Sequence, residues 1–420
     1  MNFKIFFIIF FQFTILFGQL NSGSDSTSLE KLTLKKAINF AFSNNPEINQ
    51  IREQINTKDG EWWSSFGIYS PTLTYAKEGI DKDIDNSFLE QRWHIEQSID
   101  FPLTTYFRLN KISSEKQALN EKLKNGTMQL IANVKLNYVD VLYSKRLLDL
   151  RKKQIYLSEE LMKATTSKLE AGEIAELEMM KSKIQLAEAQ NFYEEATQEF
   201  HKARYALFNI IGLDPSQQKY SIEFDDSLQI RFEGITQSDV LTNLENQPLI
   251  LSYKNLLESS SFNIKEAWST FLPNLNFNYF KQDFGAGYNY NGYEIGISIP
   301  VWFMFNQNGA IQSAKAKSRE IEWSLKETKL KLKTEIENAW HGYETSKAKI
   351  NRYENTIRDL ANELQSLTLT GYQLGELDLL RLLDAQQTYL NSEINYYNAL
   401  KNHYQQIIHL EKYLGSEVIF

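Results

Sequence analysis

The sequence predicts an α+β membrane protein built from a duplicated unit of helix, strand, strand, long helix and long helix. Three observations support this fold class. The prolines recur at a nearly constant offset, four segments alternate apolar and polar side chains, and two long stretches contain no proline. With 42% hydrophobic and 23% charged residues and only 7 prolines in 420 residues, the composition is that of a folded chain. We therefore expect regular structure in two similar halves.

The beginning of the chain has the pattern of an export signal. One cation, Lys4, precedes an apolar run over 5–17, whereas a transmembrane helix needs about 20 apolar residues. We expect cleavage near Gly18, so that residues 1–18 are a signal peptide and the mature chain acts outside the cytoplasm. Because no later apolar run is long enough for a membrane helix, a membrane-inserted part must consist of strands.

The duplication is visible in six of the seven prolines. They form three pairs at offsets of 202, 202 and 198 residues, namely Pro46 and Pro248, Pro71 and Pro273, and Pro102 and Pro300. A repeat of this length is far longer than a solenoid unit of about 20 to 50 residues, so it indicates two similar halves. We expect a first structural repeat over 19–215 and a second over 216–420. Each begins with a helix, over about 33–66 and 236–271.

Four strands are expected over about 71–78, 88–101, 273–281 and 292–301. In the last of them, Tyr293, Ile295 and Ile297 alternate with Glu294 and Gly296, as a barrel strand with an apolar outer face requires. The smallest membrane barrels have about eight strands, so two or three copies must contribute to one barrel. Aromatic residues beside the strands are expected at the membrane interface, and they include Trp62, Trp63, Phe101, Trp268, Trp302 and Phe303.

A helical hairpin is expected after each strand pair, over about 105–212 and 305–415, with its turn at Gly172 or Gly375. Helices of more than sixty residues would reach about 95 Å. Coiled-coil packing is indicated by apolar residues at steps of three and four in the second hairpin. This series is Ile321, Leu325, Thr328, Leu332, Ile336, Ala339, Tyr343, Ser346, Ile350, Tyr353, Ile357, Leu360, Leu364 and Leu367.

The duplicated order of these elements resembles the TolC-like outer-membrane efflux family over nearly the whole mature chain. The residues that carry the resemblance are Leu34, Ala37 and Ile38, Asn44-Asn45-Pro46, Ser98-Ile99-Asp100-Phe101-Pro102, Ser298-Ile299-Pro300 and Leu382-Leu383-Asp384-Ala385-Gln386. The resemblance implies a homotrimer in which three chains share a twelve-stranded barrel in outer-membrane lipid. A helical coiled-coil tunnel would continue this barrel across the periplasm.

The same resemblance implies a passive export duct, in a tripartite efflux or type I secretion system, that works with a periplasmic adaptor and an inner-membrane pump. Residues 305–310 are similar to the heavy-metal and cation branch, while drugs, metals, siderophores and a secreted protein stay open as cargo. At the tunnel entrance, the resemblance and the alignment of the two halves place Asp384 and Arg381 opposite Lys181 and Glu178. The expected adaptor-docking tips are Gly172, Glu173, Ile174, Gly375, Glu376 and Leu377.

Several other functions are not supported by the sequence. It contains no cysteine and none of the phosphate-binding or zinc-protease motifs, so we expect no enzyme activity, metal site or cofactor. A net charge of −8 argues against nucleic acid as a partner. Two alternatives to the duct remain open: a periplasmic coiled-coil scaffold without a pore, which leaves the alternating strands unexplained, and a soluble ligand-binding protein.

Overall fold

The computed structural model describes residues 32–80, 88–214, 242–285, 287–299 and 306–414. The expected signal peptide and two of the expected interface aromatics, Trp302 and Phe303, lie outside these ranges. The described chain is mostly helical and carries one small sheet.

Both halves place a strand pair before a long helical hairpin. The elements of the first half are α1 (Leu34–Asn44), α2 (Pro46–Ser64), β1 (Thr72–Glu78), β2 (Glu90–Ile99), α3 (Pro102–Glu170) and α4 (Glu176–Ile210). Those of the second half are a 3₁₀ turn (Leu244–Asn246), α5 (Pro248–Ser269), β3 (Asn274–Asp283), β4 (Asn289–Ser298), α6 (Asn306–Arg352), a π turn (Tyr353–Ile357), α7 (Arg358–Gln373) and α8 (Leu379–Leu414).

The helix expected over 33–66 is interrupted at Asn45, which is a correction to the sequence analysis. Asn45 is extended, with φ −67° and ψ 121°, and its side-chain oxygen accepts a hydrogen bond of 3.1 Å from the Ile48 N–H. The physical reason is Pro46, because proline disfavours the helical conformation at the preceding residue and fits the first position of a new helix. The chain therefore forms α1 and α2 instead of one helix.

The sheet is antiparallel throughout, in the strand order β1-β2-β3-β4. Its central pairing, between β2 and β3, joins the two repeats, with Ile95 opposite Tyr279 and Glu96 opposite Asn278. Strands β1 and β4 are the two edges, so the first repeat forms one side of the sheet and the second repeat the other.

The long helices lie side by side in the same sense as the strands, with the first repeat on one side and the second repeat on the other. Helix α3 packs on α4 and α8, and α8 packs on α6 and α7, which gives the sequence α4, α3, α8, α7 near the hairpin turns. One large apolar core, which includes Val139, Phe208, Ile336 and Leu400, joins the hairpins to α1. Helix α4 is thus at the first-repeat side of the molecule and α7 at the second-repeat side.

The π turn changes which face of the outer helix is buried. Along α6, buried residues follow the expected series up to Ile350, but beyond the turn Ala361 and Thr368 are buried, while Leu360 and Leu367 are exposed. A π turn takes up one residue more than an α-helical turn, and one residue rotates a helix face by about 100°. Tyr353 still packs against the core, but the expected packing series is wrong by one residue from there on, at Ile357, Leu360, Leu364 and Leu367.

Candidate functional site

The four-stranded sheet has two chemically different faces. One face is an apolar band of large side chains, all of them exposed except the half-buried Leu275. It consists of Leu73, Tyr75, Trp93, Ile95, Leu275, Phe277, Tyr279, Tyr293, Ile295 and Ile297. The other face carries Arg92, His94, Glu96 and Glu294, and the Asn278 amide donates a hydrogen bond of 3.3 Å to Glu294. An apolar band of this size that is exposed to water is unusual, because large exposed apolar patches mark contact surfaces.

Aromatic side chains cluster where the helices meet the strands. Trp62 and Phe66 are in edge-to-face contact at 5.0 Å between ring centroids, and Trp268 and Phe271 are stacked at 5.7 Å. Trp63 and Trp268 are exposed, with 72% and 52% of their surface accessible. Exposed tryptophans at the border of an apolar band are typical of a membrane interface, where the ring contacts lipid and the N–H contacts water.

A buried carboxylate fixes the sheet to the helices. Asp100, which follows β2, accepts hydrogen bonds from the Tyr69 hydroxyl at 3.0 Å and from Arg108 Nη1 at 2.8 Å. Arg108 also binds Glu266 of α5 at 2.9 Å, and Lys111 binds the same carboxylate at 2.6 Å. In the sequence, Asp100 is recognisable only as part of the segment 98–102. The one signal for its role in joining sheet and helices is that it is a single acidic residue between the end of β2 and Pro102.

Both hairpin turns are built in the same way. Gly172 and Gly375 have φ of 75° and 78°, in the left-handed region that glycine adopts most easily. In each turn the following N–H, of Glu173 or Glu376, donates to the carbonyl five residues earlier at 2.9 Å. Each tip therefore exposes a glutamate beside a half-buried apolar residue, which is Ile174 in one hairpin and Leu377 in the other.

The four expected entrance residues lie near these tips but do not pair within one chain. Lys181 is exposed on α4, and Arg381 and Asp384 are exposed on α8. Within the described ranges no ion pair joins Arg381 to Glu178 or Asp384 to Lys181. Glu178 instead acts on Tyr372, since burial and then the nearby Glu178 carboxylate raise the pKa of the Tyr372 hydroxyl.

The two hairpins touch each other through α3 and the end of α7. Lys168 Nζ donates to the Tyr372 carbonyl at 3.1 Å and lies 4.6 Å from the centroid of its ring. Leu161 completes a small apolar cluster with Tyr372, Leu379 and Leu382. Because Lys168 and Tyr372 both lie about one helical turn before their glycines, the two tips are level with each other.

Among the residues that the structure covers, none forms a cluster of His, Cys, Asp and Glu that could hold a metal ion. None of the described helices combines the length and apolar character needed to cross a membrane.

Comparisons with known proteins agree with this geometry. Residues 242–416 match the family model described as outer membrane efflux protein. The chain is 22% identical, over 91% of its length and 90% of the relative's, to the cobalt-zinc-cadmium resistance protein CzcC of Cupriavidus metallidurans. Its fold is similar to a membrane protein from Pseudomonas aeruginosa (TM-score 0.79, 17% identity, 91% and 92% of the two chains). It is equally similar to the Campylobacter jejuni CmeC outer membrane channel (TM-score 0.79, 17% identity, 91% and 85%).

These matches confirm the resemblance to the TolC-like outer-membrane efflux family. The family that matches is one of channel proteins, in agreement with the expectation of transport. The similar structures share the mostly helical fold with its small sheet.

Proposed function

We propose that this chain is an outer-membrane efflux channel that extends into the periplasm and forms a passive duct as a homotrimer. The observation that carries the proposal is the sheet, whose apolar face is exposed while the opposite face is polar. This is the arrangement of a transmembrane barrel strand, with lipid outside and water inside. The match of residues 242–416 to the outer membrane efflux family supports the same conclusion.

Closure of the barrel requires other copies of the chain. The edges β1 and β4 expose unpaired backbone groups, which cannot face lipid. Pairing β4 of one copy with β1 of the next is a head-to-tail contact, and such contacts close into rings. Three copies give a barrel of twelve strands, and the long hairpins continue below it as the tunnel wall.

The partners follow from the two ends of the molecule. The apolar band of the sheet contacts outer-membrane lipid, and the tips around Gly172 and Gly375 dock a periplasmic adaptor that connects the duct to an inner-membrane pump. Exposed hairpin ends of this type suit contact with another helical hairpin. Heavy-metal cations are the cargo that we favour, because the relative from Cupriavidus metallidurans is named for cobalt, zinc and cadmium resistance and 305–310 is similar to that branch.

We further propose that Arg381 and Asp384 line the periplasmic entrance. These side chains do not pair with Glu178 or Lys181 within the described part of one chain, so the proposal requires that they pair between neighbouring copies. Each exposed pair contributes only about 0–1 kcal/mol, so closure depends on the three symmetry-related sets together.

Replacing both Arg381 and Asp384 by alanine should raise the single-channel conductance in a planar bilayer. Conductance equal to that of the wild type would contradict this assignment, and Lys163→Ala, on the exposed surface of α3, is the matched control.

The test of the function is the mass and conductance of the detergent-extracted protein. We expect a trimer that needs detergent for extraction and that conducts ions in a planar bilayer. A non-conducting coiled-coil oligomer that is extracted without detergent would support the scaffold alternative. A water-soluble monomer that binds a small ligand would support the binding-protein alternative.

A further inference from the structure

A row of large apolar side chains is exposed along α7 and the residues next to its two ends. The row consists of Ile357, Leu360, Leu364 and Leu367, which are between 39% and 63% exposed, and ends at Leu374 beside the turn. All five lie within about 100° of one another around the helix. We call this set the leucine face. It is directed away from α8 because the π turn rotates α7 by one residue relative to α6.

A second apolar row lies at the opposite side of the molecule, on the first turns of α4. Leu177, Met180 and Ile184 are spaced by three and four residues and are between 49% and 62% exposed. The buried face of α4, at Ser182 and Ala189, packs on α3. The row at 177, 180 and 184 therefore points out of the molecule on the first-repeat side.

The two rows lie at the same distance from the hairpin tips, on helices that run in opposite directions. The hairpin tips are level, as the contact between Lys168 and Tyr372 requires. Met180 lies eight residues after Gly172, and Leu367 lies eight residues before Gly375. Helix α4 leaves the tip and α7 approaches it, so the rows of two adjacent copies would pack antiparallel.

Charged side chains lie beside both rows. Asp359 and Glu363 lie beside the leucine face, whereas the row on α4 is flanked by Lys181 and Lys183 together with the acidic Glu176 and Glu188. Among the residues that the structure describes, the two lysines, Asp359 and Glu363 take part in no ion pair, so the lysines can face the two carboxylates of a second copy. Opposite charges along an antiparallel apolar seam favour one partner and one register.

We propose that the leucine face of α7 packs against Leu177, Met180 and Ile184 on α4 of a second copy of this chain, and that the π turn sets this contact. The inference rests on the proposed trimer and names the residues that hold neighbouring hairpins together near the entrance. The same polarity appears in the sheet, where the second-repeat edge, β4, is expected to meet the first-repeat edge, β1, of the next copy. Without the extra residue of the π turn, the leucines would face α8 and leave the neighbouring α4 without an apolar partner.

The contact can be tested by cross-linking, because the chain contains no cysteine. We would introduce Ile184→Cys and Leu364→Cys together in the full-length protein, extract it in detergent and oxidise it. A head-to-tail contact converts the three chains into covalently linked dimers and trimers on a denaturing gel. Each single variant should stay monomeric on the gel.

The matched control is Ile184→Cys with Ala361→Cys, since Ala361 is buried on the α8 side of the same helix turn. Cross-linking at 364 but not at 361 supports the proposal. Cross-linking at 361, or at neither position in a protein that is still a conducting trimer, overturns the proposed contact and leaves the channel function intact. A monomer in detergent overturns both, because no second copy is then present.

Discussion

Replacing Lys135 by methionine is expected to destabilise the chain by about 3–5 kcal/mol, the usual cost of breaking a buried ion pair. Lys135 of α3 and Glu411 of α8 are 3% and 7% exposed, and Lys135 Nζ lies 3.0 Å from Glu411 Oε2. The variant retains the size of the side chain but leaves the Glu411 carboxylate in the core without this cation. The midpoint of chemical denaturation in detergent, followed by far-ultraviolet circular dichroism, measures the change.

Two further variants separate the charge effect from loss of packing. Lys135→Met combined with Glu411→Leu should recover most of the lost stability, since apolar residues of similar volume often replace a buried pair without cost. Lys163→Met removes the cation of an exposed pair with Glu160 and should leave the midpoint unchanged. An unchanged midpoint for Lys135→Met alone would mean that the ion pair does not stabilise the contact between α3 and α8.

The large features of this fold are predictable from the sequence because they depend on period and on proline. Alternation with a period of two identifies the strands, and the absence of proline between Pro102 and Pro215 permits a helix as long as Pro102–Glu170. The glycine turns are equally local, because each requires only a residue that tolerates a positive φ.

The π turn could not be predicted in the same way. The leucine spacing continues by three and four residues through Ile357, Leu360 and Leu364, so the sequence alone indicates an unbroken seam. The chain instead buries the small residues Ala361 and Thr368 against α8, and Arg358 Nε and Nη2 donate to Glu393 of α8 at 2.7 and 3.1 Å. This bidentate ion pair stabilises the shifted register. Which of two apolar rows faces the partner helix depends on such tertiary contacts.

The entrance residues show a second limit of sequence reasoning. Matching positions in two repeats do not place two side chains in contact, because each side chain lies on the hairpin of its own repeat. Lys181 and Asp384 correspond in the alignment, yet one lies on the outer helix of the first hairpin and the other on α8, with α3 between them. The duplication alone therefore does not predict which of these side chains meet.

Replacing Ile95 by arginine should prevent stable insertion of the barrel, while the same change at the next residue, Glu96→Arg, should be tolerated. Ile95 lies in the middle of β2 between Leu73 and Tyr279 on the apolar face, and Glu96 lies on the polar face. An arginine on the lipid face near the bilayer midplane costs about 2–4 kcal/mol, and the trimer contains three such positions, whereas a lumen position stays in water.

The measurement is the fraction of each variant that remains in the outer-membrane fraction after urea extraction, together with the amount of trimer in detergent. For a water-soluble sheet both variants should be tolerated, because Ile95 is 45% exposed and a surface change there alters stability by only about 0.5 kcal/mol. Equal behaviour of the two variants would therefore contradict the membrane barrel. Loss of insertion for Ile95→Arg alone would establish which face of the sheet contacts lipid, and the polar face with Arg92, His94 and Glu96 would then line the pore.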